Sequence, residues 1–421
     1  MLAPTPASPE SVGMSKAALD RVDAHLKSRY IDAGRFPGTH LLVYRRGKVA
    51  HSSVQGLADV ERKVPVKDDT IYRIYSMTKP LTSVAFMMLV EQGLVAIDEP
   101  VAKYIPEWKD MGVFVAGTSP SFLTRPPSRP MLIVDLLRHT AGLTYGFQQR
   151  SNVDAAYRTE KIGEVEKAGT LQSMIEALAK IPLEFSPGES WNYSVATDVL
   201  GYLVGKISGI PFEQFLKTRI LDPLGMTDTD FHVPAAKAHR FAACYSADPG
   251  GGMTFHAGQR REGLTLQDDP TKSSFLTPPS FISGGGGLCS TVADYLTFCR
   301  ALLNGGELGG VRLLGPKTLA LMTSNHIPGG QALPEVSRSL FSEATYNGIG
   351  FGLGFSVVLD PAATKIATSP GELAWGGLAS TAFFVAPEER LSVQFFTQMI
   401  PSSTYPLRSQ LRQLVYQAMT D

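Results

Sequence analysis

The chain has 421 residues, of which 43% are hydrophobic and 19% are charged, so it can bury a substantial core. This length favours one large domain with an inserted lobe, or two domains. Its 39 basic and 39 acidic side chains give a formal net charge of zero, which gives no indication of a nucleic-acid partner or an anionic membrane surface.

The N-terminal and cysteine patterns bear on location and cofactors. Residues 1–13 contain three prolines and lack a basic end followed by an apolar run, so we expect no signal peptide and a cytoplasmic protein. The most apolar stretch, Val84 to Ile97, is too short to span a bilayer. Cys244, Cys289 and Cys299 are odd in number and lack metal-ligand spacing, so we expect buried free thiols, no metal and no cofactor.

Strand patterns lie near both chain ends. Ser15 can cap a helix that runs to about Lys27, and a turn over residues 45–48 then joins two strands. The strands and the closing helix are expected at His40–Tyr44, Val49–Val54, Phe351–Leu359, Thr381–Val385, Leu391–Gln398 and, for the helix, Tyr405–Met419.

The middle of the chain is mostly helical in pattern. Helices are expected at Thr82–Gln92, Met131–Leu137, Leu171–Ala179, Thr197–Ile207, Phe212–Ile220 and Val292–Leu303. Met111–Pro130 and Ser246–Phe281 are rich in Gly, Pro and Ser and predict long loops. We therefore expect an α/β (α+β) fold, in which both chain ends form one antiparallel sheet flanked by helices. The α/β domain would comprise residues 1–80 and 285–421, and residues 81–284 would form an inserted, mostly helical domain.

The first chemical motif is Ser76-Met77-Thr78-Lys79, followed by Pro80 and an apolar run that predicts a helix start. Residues three apart share a helix face, so the Lys79 amine can reach the Ser76 hydroxyl. A serine hydroxyl needs such a neighbour to become nucleophilic, and burial would let the lysine take part in proton transfer. The spacing alone occurs by chance about once or twice in a chain of this length, so its context must decide.

Several further motifs follow in a specific order. They are Leu136-Leu137-Arg138-His139-Thr140-Ala141-Gly142-Leu143, Pro187-Gly188-Glu189-Ser190-Trp191-Asn192-Tyr193-Ser194, Pro223-Leu224-Gly225-Met226-Thr227-Asp228-Thr229, Gly285-Gly286-Gly287-Leu288-Cys289-Ser290-Thr291 and Trp375-Gly376-Gly377, the last expected just before a strand. Together with the Ser-x-x-Lys motif, this order resembles class C β-lactamases, penicillin-binding D,D-peptidases and family VIII carboxylesterases. The resemblance extends from about Phe36 to Met399 and implies a β-lactamase-like fold.

The resemblance implies a role for each matching residue. Ser76 would be acylated, Tyr193 would exchange a proton with the serine and the leaving group, and Lys79 would lower the cost of that transfer. The backbone amides of Ser76 and Leu378 would form the oxyanion hole, with Gly376 and Gly377 letting the backbone approach the substrate. His139 would be structural.

Departures from the relatives favour an ester substrate. Trp375 and Gly376 stand where antibiotic-processing relatives carry a cation and a hydroxyl residue, and Val195 stands where they carry an asparagine. A substrate carboxylate would lose a charge-assisted partner there. Four aromatic residues lie beside the motifs and would make a bounded aromatic wall: Tyr75, Tyr145, Phe147 and Trp375. The G-x-S-x-G elbow of α/β-hydrolases is absent from the sequence.

We therefore expect a serine carboxylesterase that hydrolyses short- to medium-chain neutral esters through an acyl-enzyme on Ser76. The sequence leaves open whether it also hydrolyses β-lactams weakly. Its partner would be a small-molecule ester, with no nucleic acid and no membrane; the sequence gives no indication of oligomeric state. One alternative is a β-lactamase, D-amino-acid peptidase or acyltransferase on the same fold. The other is a non-catalytic binding or sensor protein.

Overall fold

A computed structural model describes residues 5–163, 169–247, 263–338 and 346–421. The strands in this part of the chain are β1 Gly38–Arg45, β2 Lys48–Asp59, β3 Val64–Pro65, β4 Tyr72–Arg73, β5 Val113–Thr118, β6 Ser121–Arg125, β7 Cys244–Ser246, β8 Thr265–Asp268, β9 Cys289–Ser290, β10 Glu307–Leu308, β11 Val311–Arg312, β12 Ile349–Phe351, β13 Ser356–Val358, β14 Leu373–Gly376, β15 Ala382–Ala386, β16 Leu391–Phe396 and β17 Met399–Ile400.

The α-helices in the same residues are α1 Lys16–Leu26, α2 Thr78–Glu91, α3 Ile133–Leu137, α4 Asn152–Thr159, α5 Leu171–Leu178, α6 Ala196–Ser208, α7 Phe212–Leu216, α8 Asp222–Leu224, α9 Val292–Leu303, α10 Pro316–Thr323, α11 Leu333–Val336, α12 Pro361–Thr364 and α13 Leu407–Tyr416. Among them, none is long and apolar enough to cross a bilayer.

The main sheet has eight antiparallel strands in the order β12-β13-β14-β15-β16-β1-β2-β3. Its centre joins the two chain ends, because β1 pairs with β16 in a register that sets Val43 opposite Val393. The expected fold, one antiparallel sheet made by both ends with helices around it, is confirmed. The domain boundaries near residues 80 and 284 stay a prediction.

Helices cover both faces of this sheet. Side chains of α1 and α13 pack on one face with alternate residues of β1, including Leu41 and Val43. The intervening residues Leu42 and Tyr44 belong to the larger core on the opposite face, which also contains α2, α6 and α9. Burial on both sides of β1 explains why its middle, Leu41–Tyr44, is an unbroken apolar run and not an alternating pattern.

Two expectations about the C-terminal strands need correction. The predicted strand Phe351–Leu359 is two short strands, β12 and β13, because the chain turns back at Gly354, whose φ of +104° favours glycine. Trp375 and Gly376 precede a strand as expected, β15 from Ala382, but they also form the end of a strand that was not expected, β14.

The two predicted long loops also contain strands. Met111–Pro130 contains the hairpin β5–β6, which has few buried residues and therefore lacks the alternating apolar pattern of a sheet strand. In the other loop, Ser246–Phe281, β8 pairs with β7. Residues 248–262 of that loop lie outside the described residues.

Candidate active site

A tight turn presents Ser76 at the start of helix α2. Strand β4 pairs with β9 and leads into a 3₁₀ turn over Tyr75–Met77, after which α2 begins at Thr78. Tyr75, immediately before the serine, has φ +41°, an uncommon conformation for a bulky residue that is often found at functional sites. Helix α2 is buried almost all round, so it is a rigid support for Ser76 and Lys79.

Three predicted site residues meet at the serine hydroxyl. The hydroxyl of Tyr193 lies 2.7 Å from Ser76 Oγ, and Lys79 Nζ lies 3.3 Å from the same atom. Lys79 Nζ also lies 4.5 Å from the centre of the Tyr193 ring. The structure therefore brings together Ser76, Lys79 and Tyr193, which the sequence places in two separate motifs.

The amine of Lys79 is buried and surrounded by neutral acceptors. Besides Ser76 it donates to the hydroxyl of Tyr145 at 3.0 Å and to the carbonyl of Gly285 at 2.7 Å. Burial lowers the pKa of Lys79 to about 7, while the carboxylate of Asp198 acts in the opposite direction. At neutral pH a substantial fraction of Lys79 is therefore the free amine that can accept a proton.

Burial shifts the pKa of Tyr193 in the opposite direction from that of Lys79. It raises the pKa of the Tyr193 phenol well above its ordinary value, and the hydrogen bond with Ser76 offsets only part of this increase. The neutral phenol beside a neutral amine is therefore preferred over a tyrosinate beside an ammonium. This arrangement can carry a proton between Ser76, Lys79 and a leaving group without creating a lasting buried charge.

His139 packs beneath the tyrosine. Its ring centre lies 5.1 Å from that of Tyr193, and its Nδ1 is 3.2 Å from Ser194 Oγ. Burial lowers the pKa of the imidazole well below its ordinary value, so the ring is neutral. This packing favours the structural role over a place in a Ser-His-Asp triad.

The third motif borders the same cavity. A Cβ on Gly377 would collide with the carbonyl oxygen of Ile74, two residues before Ser76, so glycine permits the close approach of these segments. The amide of Gly377 donates to Thr381 O at 2.8 Å, which fixes the turn that carries Leu378. Ser76 and Leu378 both line the cavity, as a two-amide oxyanion hole requires.

Sequence reasoning did not include Arg408, which lies on α13 beside the third motif. One of its terminal nitrogens donates to Gly377 O at 3.1 Å. Arg408 therefore places a cation beside the third motif, in which Trp375 and Gly376 replace the motif's own cation and hydroxyl residue. The residue is far from every motif in sequence, and the leucine spacing of α13 shows which face is buried but not what the polar face meets.

The cavity in front of Ser76 has a volume of about 900 Å³, at the upper end of small-molecule sites. The predicted wall residues Tyr75, Tyr145, Phe147 and Trp375 all line it, as do Gly376 and Gly377. Tyr145 and Phe147 are stacked, with ring centres 4.8 Å apart. Further aromatic lining that the sequence reasoning did not include comes from Trp191, Phe231, Phe275, Phe281 and Tyr346.

The acidic, histidine and cysteine side chains of the described residues bear on metal binding and thiol chemistry. Within the four described ranges, no group of three or more His, Cys, Asp or Glu side chains could hold a metal ion. Cys244, Cys289 and Cys299 are buried and unpaired with one another, as expected.

The fold and the Ser76–Lys79 pair are those of a serine hydrolase with a β-lactamase-like fold. The Beta-lactamase family profile matches residues 21–416, and the chain therefore belongs to the Beta-lactamase family.

Individual proteins that are similar to this chain include a mycobacterial protein, an esterase and a hydrolase of known structure. Protein Rv1367c of Mycobacterium tuberculosis is 36% identical over 373 residues, which is 88% of each chain. Esterase EstB of Burkholderia gladioli is 30% identical over 427 residues, covering 99% of this chain and 98% of that one. The solved structure of EstCE1, described as a hydrolase with promiscuous acyltransferase activity, matches with a TM-score of 0.78 and 26% identity over 95% of this chain and 99% of that chain.

Proposed function

We propose that the chain is a serine carboxylesterase of the family VIII type, which hydrolyses short- to medium-chain neutral esters through an acyl-enzyme on Ser76. The observation that carries the proposal is the position of Ser76 Oγ, 2.7 Å from the Tyr193 hydroxyl and 3.3 Å from Lys79 Nζ. The name of Esterase EstB supports an ester as the substrate class, and the description of EstCE1 as a hydrolase agrees with it.

In acylation, Ser76 Oγ attacks the ester carbonyl as its proton passes to the neutral amine of Lys79, directly or through Tyr193. The amides of Ser76 and Leu378 stabilise the oxyanion that forms. The bond to the alcohol oxygen then breaks, and Tyr193 donates a proton to that oxygen while regaining one from Lys79. An alcohol and an acyl-serine result.

Deacylation repeats the same proton transfers with water as nucleophile. Water gives a proton to the Tyr193–Lys79 pair and adds to the acyl carbon, and Ser76 leaves with that proton restored. The products are a carboxylic acid and the free serine, so the two half-reactions balance. A second alcohol in place of water would give acyl transfer, and the cavity of about 900 Å³ supports this as a second candidate activity. We also propose that the protein acts in the cytoplasm.

The test is a panel of aryl esters with acyl chains of increasing length, assayed beside a chromogenic cephalosporin. The esterase proposal expects turnover of the esters, falling for long chains, and weak or absent cephalosporin hydrolysis. Addition of an alcohol acceptor with product analysis separates hydrolysis from acyl transfer. A wild-type preference for the cephalosporin would replace the proposal with a β-lactamase, and inertness towards all of these substrates would favour a non-catalytic protein.

A further inference from the structure

Lys79 is held by more than its contact with the serine. Its Nζ donates to Gly285 O at 2.7 Å, to the Tyr145 hydroxyl at 3.0 Å and to Ser76 Oγ at 3.3 Å. An ammonium has three N–H groups, so these three acceptors use all of them. The two shorter hydrogen bonds, which do not involve the nucleophile, are the ones that fix where the amine lies.

Both of these anchors are themselves rigid. The Tyr145 ring is 5% exposed and stacks on Phe147 with an interplanar angle of 19°. Asp198 Oδ1 accepts from the amide of Gly285 at 3.0 Å and from Ser283 Oγ at 2.5 Å, which holds the segment carrying the Gly285 carbonyl. The lysine therefore lies between a fixed carbonyl and a fixed phenol.

We infer that Tyr145 is a positioning residue for Lys79, whose hydroxyl holds the amine against Ser76 in both of its protonation states. The carbonyl of Gly285 can accept a hydrogen bond but cannot donate one, whereas a phenol can do either. When Lys79 is an ammonium, Tyr145 accepts. When Lys79 is the free amine, Tyr145 still accepts an N–H if the lone pair faces Ser76, and it donates to the lone pair if that lone pair faces away from Ser76. This inference rests on the proposed function of Ser76 as nucleophile and deepens it.

Several other groups face the lysine and bear on its titration. Asp198 on α6 raises the pKa of Lys79, and Tyr193 lies across its side chain. His139, which follows α3, is neutral, and the charge of Lys79 contributes to lowering the imidazole pKa. All of these groups remain when the Tyr145 hydroxyl alone is removed, so a changed pH profile in that variant reports on the hydroxyl.

The experiment compares wild type with Tyr145→Phe, which keeps the stacked ring and removes one oxygen. Two rates are measured as a function of pH: labelling of Ser76 by an alkyl fluorophosphonate, followed by intact mass, and turnover of an aryl butyrate. Tyr157→Phe is the matched control, because Tyr157 is also a buried tyrosine but its hydrogen bond is to the backbone of Thr144.

Tyr145→Phe is expected to lower the labelling rate and kcat by roughly tenfold to a hundredfold, with KM changed by less than about twofold. The acid limb of both profiles should move to lower pH, because the buried ammonium loses an acceptor that favours its charged form. Tyr157→Phe should leave the acid limb in place. Replacement of Tyr145 by 4-fluorophenylalanine, which keeps the ring and puts a much weaker, non-ionising acceptor in place of the hydroxyl, should shift the limb in the same direction even if the phenylalanine variant folds poorly.

A Tyr145→Phe protein with the wild-type rate and acid limb would overturn the inference, as would a change confined to KM. Wild type that is labelled on Ser76 but hydrolyses no ester would refute the esterase proposal, and its labelling profile would still decide the role of Tyr145. Wild type that is not labelled on Ser76 would contradict the nucleophile and the positioning role together.

Discussion

The guanidinium of Arg408 fills the space beside Gly376 that a side chain on that residue would occupy. A Cβ there would collide with the terminal nitrogen that donates to Gly377 O. Glycine at position 376 therefore makes room for Arg408 of α13, and the two residues form one packing arrangement. The arginine also supports the segment that presents the Leu378 amide.

Ser76→Ala should reduce ester turnover to near background, because the acyl-enzyme cannot form without the Ser76 hydroxyl. The fold should be unaffected, since the hydroxyl contributes little to the packing of the buried helix α2. Steady-state turnover of an aryl butyrate, with a thermal melt as the check on folding, measures both. Ser28→Ala, a change at an exposed position, is the control. Retention of more than a small fraction of the wild-type rate would show that another residue is the nucleophile.

Lys79→Ala and Tyr193→Phe should each lower kcat by about 10²–10⁴-fold, the usual effect of losing a general acid or base. The double variant should be little worse than the poorer single variant, because both residues act on the same proton beside Ser76. The measurement is a double-mutant cycle on kcat for one aryl ester. Full additivity would mean that the two side chains act independently.

Structural features that depend on neighbouring residues were predictable from the sequence, whereas features that depend on distant residues were not. Helix α9 was predicted with its observed bounds, because Thr291 caps it and its apolar residues recur at helical spacing. The hairpin β5–β6 was missed because its strands are largely exposed and carry no alternating pattern. The contact between Lys79 and Tyr145 joins residues 66 positions apart, and only the tertiary fold brings them together.

The residues of the site differ in the same way. The Ser76–Lys79 pair is predictable from helix geometry, and Tyr193 is predictable because the order of the motifs resembles that of the β-lactamase-like family. Neither route could find Arg408 or Asp198, whose roles depend on which loop carbonyl or amide their side chains meet. Local pattern therefore predicts the groups that we propose to react, Ser76, Lys79 and Tyr193, whereas long-range packing determines the groups that hold them in place.

The pH dependence of kcat/KM should follow the deprotonation of Lys79. Because burial lowers the pKa of this lysine from 10.5 to about 7, activity should rise as the pH increases through about 7 and then level off. Asp198→Asn should move the rise to lower pH, since the carboxylate favours the ammonium, while the amide oxygen can still accept from Gly285. Initial rates at substrate concentrations well below KM measure this limb. A limb displaced to higher pH in Asp198→Asn would contradict the proposed direction.

The last prediction concerns the packing of Gly376 against Arg408. Gly376→Ala should push the guanidinium away from Gly377 O, loosen the turn that carries the Leu378 amide and lower kcat by roughly tenfold, the scale of one weakened charge-assisted hydrogen bond. Arg408→Ala removes the same hydrogen bond and should have a comparable effect. The added methyl group has room once the arginine is truncated, so the double variant should be no worse than Arg408→Ala alone.

The coupling free energy expected from a double-mutant cycle of Gly376→Ala and Arg408→Ala is about 0.5–3 kcal/mol. It is obtained from kcat for an aryl butyrate in the four proteins, with thermal melts to confirm that each is folded. If the two effects simply add, the guanidinium and the methyl group do not compete for one space, and the support of the oxyanion segment by Arg408 is refuted.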